Sequence, residues 1–165
     1  MGTPFVAILM GSDSDLPVME AVWQVLKKFD IAYEVRITSA HRTPEDTKSF
    51  VTDADSRGCV AFVAGAGMAA HLAGAVAAST LKPVIGVPID SGPLQGFDAL
   101  LSTVQMPGGI PVASVAIGKA GAKNAGYLAA QIIGVSDSDV RQKLIDERAV
   151  NAQAIRDKND ALNFS

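Results

Sequence analysis

The sequence predicts an α/β fold in which a parallel sheet is covered by helices on both faces. Short apolar runs alternate along the 165 residues with segments whose apolar residues recur at helical spacing. Most strand-like runs are apolar throughout, which is typical of parallel strands buried on both faces. Neither an internal repeat nor a low-complexity linker interrupts this alternation. Residues 1–165 are therefore predicted to form a single domain.

Each element follows from a local signal. The first helix is indicated by apolar residues from Leu16 to Phe29 at helical spacing, and the second begins at Pro44 after Thr43, a candidate N-cap. Pro83 ends the third helix. The predicted strands occupy residues 5–10, 32–37, 59–64, 84–89 and 111–117. The predicted helices occupy residues 16–29, 44–56, 69–80, 97–104 and 122–133.

The segment from residue 137 to about 160 differs from the rest because it is a polar helix of mixed charge. Its thin apolar stripe consists of Val140, Leu144, Ala152 and Ile155. A solvated helix on its own subunit and an arm that docks on a neighbouring subunit both fit this pattern. The low charged fraction, 19%, beside 48% apolar residues favours a homo-oligomer.

Composition excludes several classes of partner. A net charge of −3 and an aromatic content of 5% argue against nucleic acid as the partner. The single cysteine cannot form an intrachain disulfide, which indicates a cytoplasmic protein, and two histidines are too few for a structural zinc site. The apolar run over residues 59–78 has the length of a membrane span, but Gly65 and Gly67 divide it, so we expect strand, turn and helix instead.

Polar residues follow the first two predicted strands, where a parallel sheet binds its ligands. Ser12, Ser14 and backbone N–H groups suit a phosphate, and Asp15 suits ribose hydroxyls, although a capped turn with Ser14 or Asp15 as N-cap explains the same loop. His41 can transfer a proton near neutral pH, and Arg42 offers a fixed charge for phosphate. A surface histidine without a role is the alternative for His41.

The third predicted strand is followed by a glycine-rich loop. Gly65, Gly67 and Ala70 satisfy the G-x-G-x-x-G/A pattern of dinucleotide-binding proteins, but the pattern follows the third strand rather than the first. Glycine here also lets the backbone approach a ligand closely. His71 is either a structural histidine or a ligand contact. Cys59 opens a buried strand and is predicted to be inert.

These loops together closely resemble one family. The segments SAHRTP (39–44), AGAGMAAHLAG (64–74) and LLSTVQMPGGIPVASVAIGKAGAKNA (100–125) are similar to the class I PurE family, N5-carboxyaminoimidazole ribonucleotide mutases of purine biosynthesis. The resemblance runs from about residue 5 to 133. It implies a flavodoxin-like three-layer sandwich and a homo-octamer in which the C-terminal helix, about 137–160, reaches a neighbouring subunit.

The resemblance also implies an activity and a site. Members are isomerases that move a carboxylate from the exocyclic nitrogen of a small nucleotide to ring carbon C4, without metal, ATP, biotin or another cofactor. By this resemblance His41 is the general acid and base. The remaining matched positions bind the substrate or line its site, and they are Ser12, Ser14, Asp15, Ser39, Arg42, Gly67 and His71.

Two local features refine this assignment. Many members read QMPRG where this chain has Gly108, so a cation near the rim of the site is absent here. A sister class carboxylates aminoimidazole ribonucleotide directly with CO2 and carries Lys-Gly where this chain has Arg42-Thr43. Arg42-Thr43 therefore favours the mutase. The direct CO2-dependent carboxylase and a non-enzymatic flavin- or nucleotide-binding module are the alternative functions.

Overall fold

A five-stranded parallel sheet forms the centre of the computed structural model, which describes residues 4–162. Its strands are β1 (Phe5–Met10), β2 (Ala32–Ile37), β3 (Cys59–Gly67), β4 (Val84–Ile89) and β5 (Ala113–Ser114). The helices are α1 (Leu16–Lys28), α2 (Pro44–Ser56), α3 (Leu72–Ala77), α4 (Phe97–Val104), α5 (Gly118–Gly134) and α6 (Ser138–Asp160). The strand order β2-β1-β3-β4-β5 is that of flavodoxin-like folds. The predicted fold class is confirmed.

Two apolar layers hold the sheet, one on each face. Successive residues of β1 point to opposite faces, so Val6 and Ile8 enter the layer that includes α1 and α5. Ala7 and Leu9 enter the other layer, formed with α2 and α3. All six residues of β1 are buried. The continuous apolar strands expected from the sequence thus form the middle of a three-layer sandwich.

The Ala-rich composition of α5 lets it lie close to α1. Ala122, Ala125 and Ala129 are fully buried in the shared layer. A Cβ atom on Gly126 would lie 2.8 Å from the carbonyl oxygen of Val22. A larger residue at this position would therefore push the two helices apart.

The predicted bounds of β1, β2, β4, α2 and α4 agree with the structure, and those of α1 and α6 differ by one residue. Four elements differ by more, and one of them is α5, which begins at Gly118 rather than at residue 122. Strand β3 continues through Gly65 to Gly67, because its backbone pairs with β1 at Gly65 and with β4 up to Ile89. Helix α3 consequently begins later, at Leu72, since residues 69–71 connect it to the longer strand, and it ends at Ala77 rather than at residue 80. Strand β5 has two residues rather than seven, and it pairs only with β4 at the sheet edge.

Within residues 4–162, the C-terminal helix α6 packs on the domain through its first half. Val140 is buried, and Leu144 packs against the same layer as α5. Glu147 forms an ion pair with Lys28 and accepts a hydrogen bond from the Tyr127 hydroxyl at 2.6 Å. Residues 148–160 are exposed, including Ala152 and Ile155 of the predicted stripe.

The apolar run of residues 59–78 and the single cysteine both agree with what the sequence predicts. Residues 59–78 form a strand, a connection and a short helix, as expected, and within residues 4–162 no helix is both long and apolar enough to cross a membrane. The Cys59 side chain is fully buried, and burial raises the pKa of its thiol to about 11. A thiol that stays protonated is a poor nucleophile, in agreement with the inert role predicted for it.

Candidate active site

A cavity of about 580 Å³ lies at the carboxyl ends of β1 to β4. The end of β3 and the loops after β1, β2 and β3 bring all eight residues selected from the sequence to its wall, and these are Ser12, Ser14, Asp15, Ser39, His41, Arg42, Gly67 and His71. The remaining wall is mostly small or apolar and consists of Gly11, Ala40, Ala66, Met68, Ala69, Leu72 and Ser91. The cavity thus has a polar side from the β1 and β2 loops and a largely apolar side from the β3 loop.

The loop after β1 is a 3₁₀ turn, Asp13–Asp15, that is capped by Ser12. The Ser14 backbone N–H donates to the Ser12 hydroxyl oxygen at 3.2 Å, and the Ser12 N–H donates to the Asp15 carboxylate at 3.2 Å. This reciprocal pair is a capping box. Ser12 is therefore the N-cap of the 3₁₀ turn, and Asp15, one of the two predicted N-caps, occupies the N-cap position of α1 without a capping hydrogen bond to that helix. The cap of the turn and the candidate phosphate donors are the same residues.

Asp15 is the one ionisable residue of this loop that the protein buries, with 8% of its surface exposed. Burial raises the pKa of its carboxyl above the ordinary value, against the opposing effect of the backbone N–H groups of Ser12 and Gly11. The nearby charge of Asp13 adds to the rise in the pKa. A buried carboxylate with free acceptor capacity beside a cavity suits the hydroxyl groups of a sugar.

The loop after β2 is closed by its own hydroxyl groups. The Ser39 N–H donates to the Thr43 hydroxyl oxygen at 3.0 Å, and the Thr43 N–H donates to the Ser39 carbonyl at 2.9 Å. Thr43 occupies the N-cap position of α2, as predicted, but its side chain makes no capping hydrogen bond. The Arg42 N–H donates to the Ser39 hydroxyl at 3.1 Å. These bonds fix the backbone on either side of His41.

His41 and His71 contact each other across the cavity wall. His41 Nε2 lies 2.7 Å from His71 Nδ1, and the two rings pack edge to face with centroids 4.8 Å apart. His71 stands at the N-cap position of α3 and its side chain caps no backbone group there. Of the two alternatives left open for His71, a structural histidine or a ligand contact, its exposed side chain on the cavity wall favours the ligand contact.

The apolar side of the cavity depends on Gly67. A Cβ atom there would lie 1.7 Å from the Ser91 hydroxyl oxygen, so glycine lets the Ser91 side chain reach the cavity wall. Met68 follows with a φ of 54°, in the left-handed region that a long side chain rarely adopts. Sequence reasoning did not select Ser91 for the site. The sequence feature that could have identified Ser91 is its position just after β4, at the same edge of the sheet.

A larger cavity, about 710 Å³, lies at the other end of β4 and β5. The charged residues on its wall, Lys82 and Asp55, lie 3.9 Å apart as an ion pair. Ligand sites of open parallel sheets lie at the carboxyl ends of the strands, which favours the smaller cavity. Within residues 4–162, no group of three or more His, Cys, Asp or Glu side chains is arranged to hold a metal ion.

Comparison with known proteins places this fold and cavity in one family. The family model described as AIR carboxylase matches residues 5–154. The N5-carboxyaminoimidazole ribonucleotide mutase of Bacillus subtilis is 48% identical over 159 residues, which are 96% of this chain and 98% of that relative. The chain therefore belongs to the AIR carboxylase family.

Further relatives agree with this assignment. The enzyme of the same name from Mycobacterium tuberculosis (strain H37Rv) is 50% identical over 93% of this chain and 88% of its own. The crystal structure of Treponema denticola PurE matches with a TM-score of 0.88 at 33% identity, covering 97% of this chain and 99% of that chain. The resemblance found in the sequence is confirmed, both for the family and for its fold.

The buried carboxylate of Asp15 predicts a measurable effect on stability. Its pKa is raised in the folded chain above the ordinary value of 3.8, so folding favours the protonated form. As the pH rises from this ordinary value past the raised pKa of the folded chain, the folded chain loses the proton that it holds more tightly, and the free energy of unfolding falls. We expect the free energy of unfolding of Asp15→Asn at pH 7 to be higher than that of wild type by about 0.5–2 kcal/mol.

Denaturant unfolding of both proteins at pH 3 and pH 7 checks this expectation, because the difference should disappear at the lower pH. Asp13→Asn is the matched control, since Asp13 is exposed in the same turn, and its effect should stay within about 0.5 kcal/mol. An Asp15→Asn protein less stable than wild type at pH 7 would show that the carboxylate stabilises the fold.

Proposed function

We propose that this chain is an N5-carboxyaminoimidazole ribonucleotide mutase, an isomerase that forms 4-carboxyaminoimidazole ribonucleotide in purine biosynthesis. The observation that carries the proposal is the convergence of His41, Arg42 and Asp15 on one cavity. A base, a phosphate-binding cation and a ribose-binding carboxylate are what a proton transfer on a nucleotide requires. The names of relatives about half identical over most of this chain support the same reaction.

The polar side of the cavity binds the ribose phosphate in this proposal. Within residues 4–162 the Arg42 guanidinium forms no ion pair, so it can offer its N–H groups to the phosphate. The hydroxyl groups of Ser12, Ser14 and Ser39 add neutral donors. The N-termini of α1 and α2 also face this loop region, and their positive dipole ends favour an anion. Asp15 accepts hydrogen bonds from the ribose hydroxyls.

His41 acts as acid and then as base. Protonated His41 donates its proton to the exocyclic nitrogen as the bond between that nitrogen and the carboxyl carbon breaks, which leaves CO2 and aminoimidazole ribonucleotide in the cavity. Carbon C4 then attacks CO2 and forms the new carbon–carbon bond. Neutral His41 removes the C4 proton and restores the aromatic ring of the substrate. His41 thereby regains the one proton that it gave up in the first step.

The apolar side of the cavity retains CO2 between these steps. Gly67, Ala69 and Leu72 present small or aliphatic surface without charge, which suits a neutral gas and excludes water. Recombination inside the cavity replaces capture of CO2 from solution. Holding both fragments close together removes most of the entropic cost of a bimolecular step.

A substrate-pair assay tests the proposed reaction. The mutase converts N5-carboxyaminoimidazole ribonucleotide without added bicarbonate, whereas the direct carboxylase needs aminoimidazole ribonucleotide with CO2. We expect turnover with the first substrate alone. Turnover only with the second pair would reassign the chain to the carboxylase, and a yellow purified protein with flavin absorption and no turnover would favour a binding module.

His41→Asn tests the acid–base role. We expect kcat to fall by at least about 10²–10⁴-fold, the usual contribution of a general acid or base. Nucleotide binding measured by calorimetry should persist, because Arg42, Asp15 and the serine hydroxyls are unchanged. Near-wild-type turnover in this variant would remove His41 from the mechanism.

Arg42→Ala tests phosphate binding. Loss of a charged hydrogen bond of about 1.5–3 kcal/mol should raise KM by roughly 10–100-fold. Arg36→Ala is the matched control, because Arg36 is an exposed cation on β2 that stacks on Phe50, 4.9 Å from the ring centroid, outside the cavity. An unchanged KM in Arg42→Ala would contradict the role of the guanidinium.

We further propose that the protein is a cytoplasmic homo-octamer in which α6 packs on a neighbouring subunit. The support is the resemblance to PurE proteins together with exposed apolar residues that a single chain leaves uncovered. Phe97, Leu101 and Val104 form an exposed stripe on α4, with 65% of Phe97 accessible, and Ile155 is 65% exposed on the outer half of α6. The single cysteine is in keeping with a reducing compartment.

Light scattering of the purified chain tests the assembly, and cell fractionation tests the compartment. We expect the mass of eight chains for wild type and a smaller species after removal of residues 149–165. A monomer at micromolar concentration, or an octamer unaffected by the truncation, would contradict the role of α6 as an arm.

A further inference from the structure

The two histidines of this chain form one hydrogen bond with each other. The chain contains two histidines in all, and the bond joins His41 Nε2 to His71 Nδ1 at 2.7 Å. A hydrogen bond between imidazole rings needs an N–H on one ring and a bare nitrogen on the other. Two fully protonated rings cannot form it, so the arrangement restricts which protonation states of the two histidines can coexist.

His71 is held more firmly than His41. Its backbone N–H donates to the Ala69 carbonyl at 2.9 Å, and its carbonyl accepts from the Ala75 N–H at 3.0 Å. The next residue, Leu72, is buried in the layer below the sheet. His41 is exposed at the tip of its loop, and among the described residues 4–162 the His71 bond is the one hydrogen bond to its ring.

We propose that His71 is a positioning residue that fixes the tautomer of His41, so that protons pass to and from the nucleotide only at His41 Nδ1. This inference rests on the mutase function proposed above. His71 keeps its own N–H on Nε2 and presents a bare Nδ1 to His41. The hydrogen bond a histidine makes through one nitrogen determines the protonation of the other.

The proposed hydrogen bond keeps the same donor, His41, and the same acceptor, His71, in both steps of the reaction. Charged His41 has N–H groups on both nitrogens, so Nε2–H donates to His71 while Nδ1–H donates to the substrate. After Nδ1 has given its proton to the exocyclic nitrogen, Nε2–H still donates to His71 and Nδ1 is bare. Bare Nδ1 is then the base that removes the C4 proton, which returns His41 to its charged form.

Without His71, neutral His41 can adopt either tautomer and rotate in the open cavity. In one of these tautomers Nδ1 carries the proton and cannot act as a base. The other ionisable side chains on the wall, Asp15 and Arg42, form no hydrogen bond or ion pair with either ring. They therefore cannot replace His71 as the group that selects the tautomer.

Two substitutions at position 71 separate this role from a structural one. Asn places an amide oxygen close to the position of Nδ1, whereas Leu has similar bulk and no acceptor. We expect His71→Leu to lower kcat by about 10–100-fold, the size of loss seen when groups that orient metal-binding histidines are removed, with KM little changed. His71→Asn should retain most of the wild-type kcat. Both should keep the wild-type melting temperature, because the side chain is exposed and caps nothing.

The dependence of kcat on pH separates a positioning role of His71 from a purely structural one, because only the positioning role changes the protonation of His41. The acceptor on His71 stabilises charged His41 more than neutral His41, since a charged donor makes the stronger bond. In His71→Leu the alkaline fall of kcat should therefore begin at a lower pH than in wild type, and His71→Asn should restore it. Asp15 and Arg42 are present in all three proteins and contribute equally.

The tautomer itself is visible by nitrogen NMR of the ligand-free protein, where two histidines make assignment direct. We expect an N–H at Nε2 of neutral His41 in wild type and a mixture of tautomers in His71→Leu. Equal kcat and pH profiles in all three proteins, with turnover intact, would overturn the role of His71 and leave the mutase function standing. Failure of wild type to convert N5-carboxyaminoimidazole ribonucleotide would overturn the function itself.

Discussion

The register of the three central parallel strands is the constraint on which the site depends. Met10, the last residue of β1, pairs with Ile37 of β2 on one side and with Gly65 of β3 on the other. Three loops consequently leave the sheet at nearly the same level and share one edge. Packing fixes the register, because a one-residue shift would put Val6 and Ile8 into the layer that now holds the differently sized Ala7 and Leu9.

Strand order divides the cavity into regions of different chemistry. The loops of β1 and β2 are adjacent and carry the hydroxyl, carboxylate and guanidinium groups that suit a ribose phosphate. The β3 loop follows with glycine, alanine and leucine, and it reaches the β4 end at Ser91. A molecule with an anionic tail and a reacting group that becomes CO2 fits this gradient from polar to apolar, with His41 between the two regions.

The same edge of the sheet holds groups that work against stability. Asp15 is a buried carboxyl whose pKa is raised by burial, Met68 has a left-handed backbone, and Gly67 gives up side-chain packing so that Ser91 can reach the cavity. Each of these features costs folding free energy, and all of them lie on one cavity wall or directly behind it. Such concentration is typical of sites that selection maintains for function.

The sequence by itself determined the fold class, the bounds of most elements, the family and the eight residues that meet at the cavity. It could do so because buried faces impose a periodicity on the chain, and because loops at one edge of a parallel sheet are known once the strands are known. Tertiary structure alone decided the extension of β3, the place of Ser91 and the contact between His41 and His71. Those features depend on contacts between residues far apart in the chain, such as Met10 with Gly65 and His41 with His71, and a local pattern carries no information about such contacts.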